Sequence, residues 1–297
     1  MIKCNTTAKR LMEILFGVLL VVSMTFVECE ANQKKSPLNT EAFRKILRQY
    51  TTGTLSDYTV VRQDKLVSFQ QSLLARPDIS PFKTEEAKRM GMGLLSTDGF
   101  YCLAYGNTAE AVKYYDVYYR LLRELPLRDL ADIDTKPSSA MEAFLKNPAK
   151  TTDAELDKIV TEMDKKVITN LEKLAATPEG IQFAIDFFYA MEIESLYLVS
   201  QTVIQSDGKS QGAIATLAVA ENDIKFIEKL LAAVERDVIQ KKTFKVAEKK
   251  AVLSPVMKIL KKKAGKLGKT DAVAILKIVS PERKRIVNGG IIGNGAK

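Results

Sequence analysis

Hydrophobic and polar positions recur with a helical period along most of the chain after residue 40, and the alternation typical of strands is almost absent. The short β-branched stretch at 59–61 fits a helix that starts at Ser56 or Asp57 and ends before Pro77. Thr152 to Glu155 has the sequence of a capping box, and Thr177-Pro178 is a typical helix start. We therefore predict an all-α protein, a multi-helix bundle of about seven or eight helices.

One segment is apolar on almost every face, which is typical of a helix enclosed by other helices. It runs from Ile181 to Ile204 and is followed by turn residues at 206–208. A long helix from about Gly212 to Gln240 then follows. Because the connection is short, we expect the second helix to pack alongside the first.

An α-solenoid of helical hairpins is the alternative architecture. The segment Gly106 to Tyr115, with Gly99 seven residues earlier, resembles one tetratricopeptide unit in its glycine, alanine and tyrosine positions. Pro126 comes three residues late, and Cys102 and Thr108 stand where that repeat has aromatic residues. The resemblance covers about 34 residues and has no second copy, whereas such folds need at least three repeats.

The N-terminal residues have the pattern of an export signal. Lys3, Lys9 and Arg10 precede an apolar run at 14–27, and Cys29-Glu30-Ala31 supplies small residues at the −3 and −1 positions. We expect residues 1–31 to be a signal peptide and the protein to be periplasmic or secreted; an uncleaved anchor is the alternative. No later stretch has 18 consecutive apolar residues, so we predict no transmembrane span after cleavage.

The residues that are absent exclude several kinds of chemistry. The chain has no histidine, which excludes Ser-His-Asp and Cys-His catalysis and histidine-ligated zinc. Two of its three cysteines lie in the predicted signal peptide, and Cys102 alone cannot build a thiolate zinc site or an iron–sulfur cluster. Nucleotide-binding and EF-hand motifs are also missing. We predict a non-enzymatic protein with no cofactor and no metal site.

Charge is distributed unevenly along the chain. Residues 241–297, the basic tail, hold 16 Lys or Arg and three acids, a net charge of +13. Residues 1–31 have no net charge and the whole chain carries +9, so residues 32–240 carry −4. We predict a helical bundle domain at 32–240 and a basic amphipathic C-terminal region at 241–297 that ends in a disordered glycine-rich stretch.

The basic tail combines an apolar stripe with a lysine-rich face. We expect one helix to start at Ser254-Pro255 and a second to cover Asp271 to Val279. The apolar stripe of the first comprises Leu253, Val256, Met257, Leu260, Ala264 and Leu267. The lysines on its other faces are Lys258, Lys261, Lys262, Lys263 and Lys266.

A basic amphipathic helix is typical of proteins that bind anionic membrane surfaces. We therefore predict that these lysines dock the protein peripherally on an anionic lipid surface or an acidic cell-wall polymer, while the helical domain binds a protein partner. Nucleic acid is a weaker candidate, because export removes the protein from it and Phe244 is the only aromatic residue of the tail. In the alternative, the stripe packs on the bundle and the lysines form a solvated face.

Tyrosines cluster in one part of the chain. Six of the ten lie between Tyr101 and Tyr119. The pattern predicts a ligand or peptide groove, and core packing is the alternative. The candidate groove residues are Tyr114, Tyr115, Tyr118, Tyr119 and Arg120.

Three acids, Asp186, Glu192 and Glu194, fall in the most apolar helix. Buried carboxylates are costly unless they are paired or functional, so these are the catalytic candidates. Glu194-Ser195 is similar to the start of a lytic transglycosylase motif, although the rest of that motif is absent. The alternative function is a carboxylate-dependent hydrolase or lyase acting on wall glycans. Pairing with lysine, or exposure at the helix edge, is the structural alternative.

Overall fold

The computed structural model describes residues 40–49, 61, 64, 66–127, 136–235, 238–263 and 266–290. The expected signal peptide at 1–31, the predicted helix start at 56–57 and most of the glycine-rich end lie outside the described residues.

The described residues form about ten α-helices and no strands, which confirms the all-α prediction with a slightly higher helix count. They are α1 (Thr40–Leu47), α2 (Glu85–Ala104), α3 (Thr108–Glu124), α4 (Ser139–Lys146), α5 (Asp153–Leu174), α6 (Pro178–Gln205), α7 (Gln211–Glu235), α8 (Val238–Thr243), α9 (Val246–Lys263) and α10 (Lys269–Val287). Short 3₁₀ turns occupy Gln71–Leu73 and Pro148–Lys150.

Helix α6 is the central element. Nearly every residue from Gly180 to Val203 is buried, and α2, α5, α7 and α10 all pack against it. The close approach of α2 depends on Gly93, because a Cβ there would lie 2.2 Å from the carbonyl oxygen of Phe187. The apolar residues on almost every face of this segment thus correctly predicted a helix enclosed by other helices.

Local cap chemistry starts the helices where the sequence predicted. The Thr152 hydroxyl accepts a hydrogen bond from the Glu155 amide, and the Glu155 carboxylate accepts one from the Thr152 amide. The Thr177 hydroxyl accepts from the Gly180 amide at 3.1 Å, directly before α6. These side chains satisfy amides that have no partner within the helix.

The prediction of a helix up to Pro77 is wrong from residue 66 onward, although Val61 is helical. Residues 66–84, which we call the strap, contain only the short 3₁₀ turn. Side chains of neighbouring helices bind its backbone: the Tyr114 hydroxyl donates to the Ala75 carbonyl at 2.8 Å, and the Ala75 amide donates to Asp98 Oδ2 at 3.0 Å. Arg283 Nη2 donates to the Leu73 carbonyl at 2.7 Å. Because tertiary partners satisfy these backbone groups, the strap does not need the hydrogen bonds of a helix.

The helices of the basic tail are longer than predicted. Helix α9 begins at Val246 and runs through Pro255, and α10 runs through Pro281 to Val287, so the predicted start at Ser254 and end at Val279 are wrong. A proline inside a helix removes one backbone hydrogen bond. Extensive burial against neighbouring helices offsets that loss, since α9 packs on α7 and α10 packs on α6 and α2.

The apolar stripe of the tail is part of the protein core. Leu253 and Val256 are fully buried, and Met257, Leu260 and Leu267 are nearly so; Ala264 lies outside the described residues. Among the helices of the described ranges, none is both long and apolar enough to cross a membrane.

We predict that Gly93→Ala destabilises the protein by about 1–3 kcal/mol, because the added methyl group meets backbone that cannot rotate away and α2 must shift from α6. Helix propensity alone would favour alanine by about 1 kcal/mol, so a net loss is diagnostic of the helix contact. Urea unfolding measures the difference.

The matched control is Gly268→Ser, which adds a side chain where no atom lies within 4 Å and places a favoured residue before α10. Unchanged or higher stability of Gly93→Ala would contradict the observed approach of α2 to α6.

Candidate functional site

Four carboxyl groups are buried in the two most enclosed helices. Asp98 on α2 and Asp186 and Glu194 on α6 are 0% exposed, and Glu192 on α6 is 5% exposed. A buried carboxylate without a cation is strongly unfavourable, so the groups around these side chains decide what they can do.

Asp186 binds two cations from different parts of the chain. Arg89 Nε on α2 donates to Asp186 Oδ2 at 2.9 Å, and Lys249 Nζ on α9 lies 2.9 Å from Asp186 Oδ1. The Lys249 side chain is only 3% exposed, donates to the Phe244 carbonyl at 2.8 Å and lies 5.5 Å from the centroid of the Tyr189 ring. Asp186 therefore joins α2, α6 and α9 at one buried point.

Glu194 forms a two-pronged ion pair with Arg283 of α10. Arg283 Nε donates to Glu194 Oε2 at 2.7 Å and Arg283 Nη2 donates to Oε1 at 2.8 Å, which is the geometry that gives strong and directional pairing. The guanidinium lies 3.9 Å from the centroid of the Tyr197 ring. Burial lowers the pKa of Arg283, but the Glu194 charge and hydrogen bonds outweigh it, and the net pKa is raised.

Asp98 is a buried acid that sequence reasoning missed. Burial, and then the neighbouring Glu194 charge, raise the pKa of Asp98 well above its ordinary value, while Arg283 and the Ala75 amide lower it. The signal was present in the sequence, since Asp98 is the only charged residue between Arg89 and Ala104. A lone acid in such an apolar run is a candidate for a special environment.

A half-buried cluster of charged side chains surrounds the N-terminal end of α2. Lys245 Nζ binds both oxygens of Glu86, at 2.9 and 2.7 Å, and Arg285 Nη1 lies 3.8 Å from Glu86 Oε1. Burial raises the pKa of Glu86, but the hydrogen bond and charge of Lys245 outweigh it, so the net pKa is lowered. Arg285 also binds both oxygens of Glu282 at 2.8 Å.

Seven cations of the basic tail pair with acids of α2, α6, α7 and the α6–α7 turn. The pairs are Lys241–Glu235, Lys245–Glu86, Lys249–Asp186, Lys250–Glu235, Lys269–Asp207, Arg283–Glu194 and Arg285–Glu86. Much of the charge asymmetry read from the sequence is therefore neutralised within the molecule.

The pairing defines the chemistry open to the catalytic candidates. Asp186 and Glu194 are covered from solvent and bind cations, and Glu192 is buried on the same helix. Glycoside cleavage requires two carboxyl groups that flank a bound sugar. Asp186 and Glu194 each join α6 to other helices through ion pairs, as the structural alternative from the sequence describes.

The lysines predicted to bind an anionic surface point outward where they are described. Lys258, Lys261 and Lys266 are exposed and form no ion pair with another described residue, and we call these three the lysine face. The side chains of Lys262 and Lys263 lie outside the described residues. Lys277 and Lys284, seven residues apart on α10, are also exposed.

The structure divides the predicted tyrosine groove. Tyr118 and Tyr119 line a cleft between α3, α5 and the start of α6. Tyr114 and Tyr115 do not: Tyr114 binds the strap, and the Tyr115 ring packs 6.1 Å from that of Phe100. Arg120 is exposed. The cleft is mostly apolar, with Lys136, Lys166 and Asn170 among its lining residues.

Cys102 is buried, and burial raises the pKa of its thiol, as expected for a structural cysteine. The described ranges contain no cluster of three acidic or cysteine side chains that could hold a metal ion.

Comparison with known proteins gives no match: no family model, no curated protein and no solved structure is similar to this chain.

We predict that Arg283→Met destabilises the protein by about 3–5 kcal/mol, because it leaves the buried Glu194 carboxylate without its cation. The loss of the bond to the Leu73 carbonyl acts in the same direction. Chemical denaturation followed by circular dichroism measures the change.

Lys284→Met is the matched control, since it removes a neighbouring charge from the same helix at an exposed position. We expect its stability to stay close to that of the wild type. Equal stability of the two variants would show that the Glu194 pair does not hold α10 in place.

Proposed function

We propose that this protein is an exported, non-enzymatic helical bundle that docks peripherally on an anionic lipid surface through the lysine face, which comprises Lys258 and Lys261 of α9 and Lys266 after it. The observation that supports this proposal is the division of the tail charges: seven cations pair internally, whereas Lys258, Lys261 and Lys266 are exposed and have no ion-pair partner among the described residues.

The arrangement of the lysine face suits lipid phosphates. Lys258 and Lys261 are three residues apart, so they lie on neighbouring positions of one helical face, and Lys266 follows in the connection to α10. Each lysine near an anionic membrane contributes about 1 kcal/mol, so three provide a measurable and salt-sensitive affinity. Lys277 and Lys284 add positive charge on the adjacent helix.

Docking of this kind proceeds without insertion. The apolar stripe that the sequence suggested for contact with lipid tails is buried in the core. Large exposed hydrophobic side chains within the described residues are Leu66 and Val219, which are not on α9. Binding is therefore electrostatic. Added salt shortens the screening length to about 10 Å, and binding should weaken as the salt concentration rises over this range.

The decisive experiment keeps the tail in place. Removing residues 241–297 would take away Lys249, one of the two cations of Asp186, and Arg283, the cation of Glu194, so a truncated chain would test folding rather than docking. The full-length mature chain, residues 32–297, is compared with a triple variant of the lysine face, because those side chains make no described ion pair.

We predict that Lys258→Gln, Lys261→Gln and Lys266→Gln together weaken binding to phosphatidylserine-containing vesicles by about 100-fold at low salt, from about 1 kcal/mol per lysine. Co-sedimentation across a salt series measures the partition coefficient. Neutral phosphatidylcholine vesicles should bind neither protein.

The control variant carries the same charge change at three exposed lysines of other elements, Lys83, Lys146 and Lys165. It should bind nearly as well as the wild type. If both triple variants lose binding equally, net charge rather than the lysine face is responsible. If the wild type binds a teichoic or uronic acid polymer but no vesicle, the lipid assignment is wrong and the acidic polymer replaces it.

A further inference from the structure

The buried acids differ in how their charge is balanced. Asp186 has two cations, Arg89 and Lys249. Asp98 lies near enough to Glu194 and Arg283 for both of their charges to act on its pKa, and Arg283 gives its hydrogen bonds to Glu194 and to the strap. Two ionised carboxylates beside one guanidinium would leave a net negative charge in a site that excludes water, so one bound proton restores the balance.

One oxygen of Asp98 is available to carry that proton. Asp98 Oδ2 accepts from the Ala75 amide, whereas Asp98 Oδ1 is buried and receives no hydrogen bond from any described residue. A protonated carboxyl group becomes a donor, and the nearby Glu194 carboxylate can accept its hydrogen bond. Like carboxylates that share a buried site commonly retain one proton between them.

We propose that Asp98 and Glu194 form a proton-sharing carboxyl pair that makes the packing of the strap and α10 on the protein dependent on pH. Arg283 of α10 binds Glu194 of this pair and the Leu73 carbonyl of the strap, and Asp98 accepts from the Ala75 amide of the strap. Ionisation of both Asp98 and Glu194 therefore weakens the packing of the strap and of α10.

Every element packed around Asp98 contributes to the balance. Glu194 on α6 opposes ionisation of Asp98, and Arg283 on α10 favours it. Tyr114 on α3 and Cys102 on α2 lie near enough for the Asp98 charge to raise their pKa values, so both are neutral neighbours at neutral pH. One cation, Arg283, therefore lies near two acids, Asp98 and Glu194.

The composition of the chain makes this pair easy to observe. With no histidine, ordinary side chains do not titrate between about pH 5 and pH 8. Because the folded state raises the pKa of Asp98, the folded protein holds a proton that the unfolded chain has lost above about pH 4. Its contribution to stability is full below that pH and is lost as the pH rises towards the folded pKa.

The test compares wild type and Asp98→Asn by urea unfolding from about pH 5 to pH 8. Asparagine supplies a permanent donor without a titrating proton. We expect the unfolding equilibrium constant of the wild type, relative to that of Asp98→Asn, to rise up to tenfold per pH unit. Asp78→Asn, at an exposed acid, should keep the wild-type slope. Parallel profiles for wild type and Asp98→Asn would overturn the proposal.

A second measurement covers the case in which Asp98→Asn fails to fold. The infrared carbonyl band of a protonated carboxylic acid should persist in the folded wild type at neutral pH and disappear on unfolding. Amide exchange, corrected for its intrinsic pH dependence, should accelerate with pH in α10 before it does in α3. Absence of the carboxylic acid band at neutral pH would also overturn the proposal.

Discussion

The burial of acids in α2 and α6 is the constraint on which the rest of the structure depends. Asp186 and Glu194 are fully covered, and an uncompensated charge at either position would cost several kcal/mol. Their cations include Lys249 and Arg283, which are distant in sequence and belong to the basic tail. Folding of the centre therefore requires that the tail return to it, and the apolar stripe of α9 is buried as part of the same event. Charge pairing selects which helices meet, and apolar burial supplies most of the stabilisation.

This requirement explains how one basic segment has two different faces. Arg283 and Arg285 of α10 pair with acids, whereas Lys284 between them is exposed, because adjacent residues of a helix point in different directions. On α9, Lys249 is enclosed and Lys258 and Lys261 are open to solvent. The net charge of the tail is thus the sum of paired cations and exposed cations, and only the exposed cations are available to a partner. A charge count along the sequence does not separate them, since separation depends on the helix face that contacts α6 and α7.

Local signals in the sequence were sufficient for the elements that depend on local physics. The Thr152 capping box and the helix start at Thr177 depend on side chains within three residues. The enclosure of α6 by other helices follows from its apolar composition alone. The strap was mispredicted because its backbone partners, Asp98, Tyr114 and Arg283, come from three other helices. Pro255 and Pro281 were read as helix boundaries because proline disfavours helix interiors, yet packing on the centre continues both helices through them. For the site, the apolar context identified Asp186 and Glu194 as unusual, but their roles required knowledge of the cations opposite.

Helix α10 connects the buried charges with the exposed ones. One of its faces carries Arg283, which pairs with Glu194, and another carries the exposed Lys277 and Lys284. The position of the exposed lysines therefore depends on whether the charge inside remains balanced. In a chain without histidine, a buried carboxyl pair is one of few groups able to respond to pH near neutrality. In the proposed docking, the helix that would present positive charge to a membrane is also the helix held by the Arg283–Glu194 contact, so ionisation of both Asp98 and Glu194 would also change surface binding.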